Sequence, residues 1–192
     1  AFYKQALRTG LFAKARLAGN INVGVVPQAI GKDHPEGALA GVHSNYHFTQ
    51  WPAGSHPVND RFVERYRKRW NEYPTYTAEA AYSGLNLFKT AVERANQQVG
   101  GWPDDEAIIK QLEGLSMEGP AGLVTIRTED HRASKDVKDG LRKHLPNYPF
   151  PGWDPARILI IPIHTIPDRP TRHNTGHGNH YPPATGHRHH TT

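Results

Sequence analysis

Apolar positions recur along the chain at two periods, and the alternation between them predicts the elements. Phe2, Tyr3, Ala6 and Leu7 stand at helical spacing, so the opening residues read as the inside of a helix. Residues 21–26 form a short apolar run that predicts a buried strand, followed by a Pro- and Gly-rich loop through Gly37. Residues 39–48 predict a longer strand with Val42, Ser44, Tyr46 and Phe48 on one face and His43, Asn45 and His47 on the other. A helix follows, with Asn59 as its expected N-cap and Phe62, Val63, Tyr66 and Trp70 on its apolar side. Arg61, Glu64, Arg65, Lys68 and Arg69 make the other side a solvated surface.

After the turn at residues 71–74, Thr77 is the expected cap of the strongest helix pattern in the chain. Its predicted apolar stripe is Ala78, Ala81, Tyr82, Leu85, Phe88 and Val92. A third helix begins near Asp104, Asp105 and Glu106, where acids suit the positive end of the helix dipole. It is expected to bury Ile108, Ile109, Leu112 and Leu115 and to stop between Gly114 and Gly119. Residues 123–126 and 158–163 predict strands, the latter buried on both faces. Strands alternating with helices argue for an α/β layered fold.

Composition changes this picture mainly at the two ends. With 36% hydrophobic residues and a mean hydropathy of -0.69, the chain contains no run approaching the roughly 18 apolar residues of a membrane span. The opening residues lack a basic stretch, an apolar stretch and a cleavage site, so the start is expected to cut through a longer protein. There is no Cys, which excludes disulfides, thiolate metal sites and a Cys nucleophile in these residues. The formal charge is +5, of which residues 164–192 carry +2, so the body is not basic enough to argue for nucleic acid or a membrane as partner. Those same residues hold seven of the 13 His with few aliphatics, and they are expected to form a disordered tail. His173, His177, His180, His187, His189 and His190 make weak metal chelation the functional alternative to a plain unstructured terminus.

An ordered set of short motifs carries a resemblance. Asn59-Asp60-Arg61-Phe62 with Tyr66, then Tyr73-Pro74-Thr75, Ala80-Ala81-Tyr82 and Ala91-Val92 follow one another as they do in type I periplasmic solute-binding proteins of ABC importers, the branched-chain amino acid, amide and urea class. Leu112-Glu113-Gly114, Gly119-Pro120-Ala121-Gly122 and Arg127-Thr128-Glu129-Asp130-His131-Arg132-Ala133 are similar to later segments of that family. Upstream, Phe2-Tyr3-Lys4-Gln5-Ala6, Gly10-Leu11-Phe12 and Pro35-Glu36-Gly37 fit the same order, so the likeness spans about residues 1–165.

What the resemblance implies is a partial type I periplasmic-binding-protein fold, with parallel sheet layers and flanking helices in an incomplete two-lobe architecture. Residues 1–38 are expected to end the second lobe, 39–128 to return through the first, and 129–163 to cross back. Such receptors enclose a small solute between lobes by hinge closure and hand it to a membrane permease. Solutes of this kind are held by backbone groups, hydroxyls and helix N-termini. The resemblance therefore marks Tyr76 and Thr77, which equally serve capping and packing, Tyr46, for which core packing is the first reading, and Gln28 beside Pro27. An acidic partner for an α-amino group is not evident near Gln28, which leaves amides, urea-like compounds and aromatic acids open beside amino acids. The implied location is periplasmic, with no membrane insertion and no cofactor.

His43 and His47 stand at alternate positions without a clear third ligand, so a polar sheet face is expected rather than a metal site. His131 is expected in a structural loop. No catalytic motif occurs in a suitable context, so an enzyme is not expected. The competing readings are a solute-sensing receptor domain of the same fold and metal buffering through the tail.

Overall fold

A computed structural model describes residues 2–19, 25–42 and 54–161. Helix α1 (Phe2–Arg8) buries Tyr3 and Ala6 and leaves Phe2 and Leu7 exposed, so only one side of the expected stripe meets the core. A four-residue turn of helix, α2 (Leu11–Lys14), follows. Val25 and Val26, expected in a strand, instead open α3 (Val25–Ile30), and the expected loop at Pro27 and Gln28 is therefore helical. Pro27 lies in the first turn of this helix, where its missing N–H costs nothing.

Strand β1 (Leu39–Val42) is the described part of the long strand read from the sequence. Tyr46 and the alternation of His43, Asn45 and His47 lie outside the described residues.

Helix α4 (Pro57–Trp70) starts two residues before the expected cap. Pro57 sets the helical φ at the first position, His56 takes the cap position, and Asn59 is buried inside the helix. The left-handed Asn71, at φ 53°, ends it. Helix α5 (Tyr76–Val99) is capped by Thr75 rather than Thr77, because the Thr75 hydroxyl is the one that accepts the Ala78 N–H, at 3.3 Å. It closes on Gly100 at φ 73°. Helix α6 (Asp105–Leu112) has the predicted acidic start, and Asp104 accepts the Ala107 N–H at 2.9 Å.

The face α5 buries is not the one its apolar residues suggested. Glu79, Ser83, Leu87, Ala91 and Ala95 are buried, whereas Leu85 is 70% and Phe88 51% exposed. Leu87, Ala91 and Ala95 pack with Ile108, Leu115 and Val124, forming the largest core cluster. Small residues at 91 and 95 let α6 approach closely, so the interface selects them over bulkier neighbours. On α6, Ile108 is buried but Ile109 is turned partly outward.

Among the described residues, six strands form two three-stranded sheets. Strands β2 (Ser116–Gly119), β3 (Gly122–Ile126) and β4 (Ala133–Ser134) pair in sequence order. Strand β5 (Val137–His144) lies between β1 and β6 (Pro151–Ile161). Every pairing within these sheets is antiparallel, in place of the expected parallel layers; the parallel contact among the described residues is an isolated bridge between Ala18 and Leu39. The reason is the connections: two-residue and six-residue links join β2 to β3 and β5 to β6, and such short links reverse the chain. Strand β6 begins earlier than expected and is not buried on both faces, since Leu159 and Ile160 are at least half exposed.

Candidate site at the N-terminus of the long helix

The N-terminus of α5 is held from three sides. Behind it, Tyr73 stacks edge-on against Phe150 (ring centroids 5.3 Å) and Tyr148 (5.6 Å), and the Arg67 guanidinium lies 4.4 Å over its ring. Burial among these rings raises the Tyr148 hydroxyl pKa above its ordinary value. Pro74 is fully buried, so the turn entering the helix is fixed by packing. Beneath, Tyr76 packs with Ile158 on the cluster of Ala40 from β1 and Trp153 from β6. From the side, the Gln28 amide on α3 donates to the Pro74 carbonyl at 3.5 Å.

Three of the four sequence-marked residues, Gln28, Tyr76 and Thr77, thus meet around one four-residue segment. Gln28 and Tyr76 are half-buried and Thr77 is exposed. The Thr75 and Thr77 hydroxyls share a hydrogen bond of 2.7 Å. The Thr77 amide N–H has no acceptor among the described residues and points out of the first helical turn. That turn offers N–H and O–H donors at the positive end of a 24-residue helix, the chemistry that holds a carboxylate or a carbonyl oxygen.

One turn further along, the sequence reading missed a buried polar group. Glu79 is fully buried; Ser83 donates to its Oε1 at 2.6 Å and the Lys135 ammonium to its Oε2 at 3.3 Å. The i, i+4 spacing of Glu79 and Ser83 was a visible signal, but Lys135 is 56 residues away and nothing local announces it. Lys135 lies between β4 and β5, so the ion pair ties that connection to α5. Nearby, the His56 ring donates to the Gly119 carbonyl at 3.2 Å, joining the start of α4 to the β2–β3 turn. Lys138 on β5 is buried, and desolvation lowers its pKa to about 8 against the opposing pull of Asp136 and Glu118. His131 sits, as expected, in a structural loop, left-handed at φ 57° with its ring 3.0 Å from Glu113.

Residues 1–138 match the family model described as "Periplasmic binding protein". The chain belongs to that family. Periplasmic binding proteins of this type are solute-binding transport proteins rather than enzymes, and the chain carries part of their α/β fold. Similar chains include the solute binding protein of an ABC transporter from Rhodopseudomonas palustris BisB5, solved in complex with 3,4-dihydroxy benzoic acid. Its TM-score is 0.70 at 19% identity, covering 84% of this chain and 41% of that one. The leucine-, isoleucine-, valine-, threonine-, and alanine-binding protein from Brucella ovis, in a closed conformation, gives a TM-score of 0.60 at 20% identity, over 84% of this chain and 40% of that one. A curated relative, the Leu/Ile/Val-binding protein homolog 4 of Brucella abortus (strain 2308), is 30% identical over 82 residues, which are 43% of this chain and 20% of that protein. The chain therefore spans about two fifths of the solved relatives and a fifth of the curated one. Among the described residues, no helix is long and apolar enough to cross a membrane.

Proposed function

We infer that the chain contributes one side of a solute cleft in the substrate-binding component of an ABC importer, acting outside the cytoplasm and delivering its solute to a membrane permease. The observation that carries this reading is the meeting of Gln28, Tyr76 and Thr77 at the open first turn of α5. The free Thr77 N–H is suited to the carboxylate of an amino acid or aromatic acid, or to the carbonyl oxygen of an amide or urea. Tyr76 supplies an aromatic wall, and Gln28 an amide within reach of the same turn. Tyr46, further along the segment that β1 begins, is proposed as a fourth contact. Solved relatives hold 3,4-dihydroxy benzoic acid in one case and p-hydroxybenzoic acid in another, which supports an acid group on the solute.

In the proposed division, residues 1–38 end one lobe, 39–128 return through the other, and 129–163 cross back. The Glu79–Lys135 pair then fastens the crossing segment to the helix that faces the solute. The test is a thermal-shift and calorimetric panel of leucine, 4-hydroxybenzoate, acetamide and urea against the complete two-lobed gene product. One solute should bind, and Tyr76→Ala and Gln28→Ala should each weaken it at least tenfold, about 1.4 kcal/mol. No binding across the panel, or variants with unchanged affinity, would falsify the assignment. The 192-residue chain alone should bind the same solute poorly, because one wall of the cleft is then absent.

A further inference from the structure

Strand parity separates two faces of the β1–β5–β6 sheet. On β5, Lys138, Gly140 and Arg142 are on the buried side, where Ala40, Trp153 and Ile158 pack with Tyr76. Leu141 has the opposite parity, and Arg157 lies in the β6 bulge between Trp153 and Ile158, where the pairing with β5 shifts register. These two line a cleft of about 370 Å³ whose walls include none of Gln28, Tyr76 and Thr77. The volume is in the range of roughly 300–1,000 Å³ in which small molecules are held.

The walls of this cleft have a definite chemistry. Phe12 and Leu17, from α2 and the segment after it, join Leu141 as apolar, half-buried surface. Arg16 and Arg157 bring two guanidiniums from separate elements. Among the described residues Arg16 has neither a hydrogen bond nor an ion pair, and Arg157 Nε is held only loosely, 3.8 Å from Asp154. Glu36 is the opposing charge in the lining, but its Oε1 is already taken by the His144 N–H at 2.7 Å. Two available guanidiniums beside apolar walls favour an anion with a hydrocarbon body, since the planar fork matches a carboxylate bidentately.

We propose that this cleft is a second binding site, for a small monocarboxylate with an aliphatic or aromatic body. It does not depend on the assignment of the α5 turn, because the cleft shares no lining residue with that turn. Hexanoate is the probe, titrated into the 192-residue chain and followed through backbone amide shifts, with hexanol and hexylamine as controls. Saturable shifts at Leu17, Gly37 and Ala38 are expected, with both controls at least tenfold weaker. Arg16→Ala and Arg157→Ala should each reduce affinity at least fivefold, Arg157→Lys less, and Lys89→Ala, on the exposed side of α5, not at all. The Arg16 side chain is exposed and has no hydrogen bond or ion pair among the described residues, so its variant stays informative if Arg157→Ala disturbs the fold. Failure to saturate below about 10 mM, equal binding of hexanol, arginine variants that bind normally, or loss on Lys89→Ala overturns the proposal.

Discussion

His34 shows how one residue couples this fold to pH. It is 1% exposed, its Nδ1 donates to the Pro35 carbonyl at 3.1 Å, and its Nε2 is buried without a hydrogen-bond partner. The groups facing it are the Tyr3 ring at 5.3 Å on α1, and Arg142 and His144 on β5. Burial lowers its pKa from 6.5 to about 4, helped by Arg142 and His144 and opposed by the hydrogen bond to the Pro35 carbonyl. The unfolded chain therefore binds more protons than the native one between those values, and stability falls as pH drops from about 6.5 towards 4. The loss attributable to this residue is at most about 3 kcal/mol. Urea unfolding at pH 7, 5.5 and 4.5 should show a steeper acid loss for the native chain than for His34→Phe; parallel profiles would remove the argument. Gly140 makes a steric counterpart. A Cβ there runs into the Trp153 ring, which is itself 1% exposed, so Gly140→Ala should cost about 1–3 kcal/mol. Gly84, inside α5 with open space around it, should respond oppositely, Gly84→Ala raising stability by about 0.5–1 kcal/mol in the same thermal melts.

At the scale of elements, the pair of Glu79 and Lys135 is the contact that joins the connection before β5 to α5. Lys135→Met weakens the compensation of a fully buried carboxylate and should destabilise the chain by roughly 3 kcal/mol. Glu79→Gln keeps an acceptor for Ser83 and should cost less, and a double-mutant cycle read from denaturant midpoints should return a clear coupling energy. Additive losses would mean that the pair holds nothing together. This contact also marks where sequence reading ends. Helices α4, α5 and α6 were legible in their apolar period, in the turn at residues 71–74 and in the acidic start of α6, whereas the caps expected at Asn59 and Thr77 fall instead at His56 and Thr75. The face α5 buries was not, because Ala91 and Ala95 are chosen by close approach to α6 and Glu79 by a distant lysine, neither of which hydrophobicity encodes. Strand β5 was missed for a related reason: its buried side consists of Lys138, Gly140 and Arg142, which no apolar alternation reveals. At the candidate site, Tyr76 and Thr77 are marked as candidates by the family order of motifs, whereas the packing of Tyr73 against Tyr148 and Phe150 behind them is tertiary.

At the scale of the molecule, the apolar residues that periodicity assigned to the core stand partly outside it. Tyr82, Leu85 and Phe88 occupy successive three-residue steps on α5 and are 36%, 70% and 51% exposed, with Val99 further along at 53%. A helix face of this composition lowers its free energy by leaving water, at about 25 cal/mol per Å² of apolar surface removed. The chain in isolation should therefore bind a hydrophobic dye such as ANS and associate as its concentration rises. Leu85→Lys and Phe88→Ser should reduce both effects while leaving the melting temperature nearly unchanged, because neither side chain belongs to the α5–α6 core. Sedimentation velocity at several concentrations, alongside dye fluorescence, reads the two effects separately. A chain that remains monomeric and dark to the dye has that stripe covered by its own residues, and a variant that melts well below the parent has lost a core contact rather than a surface one.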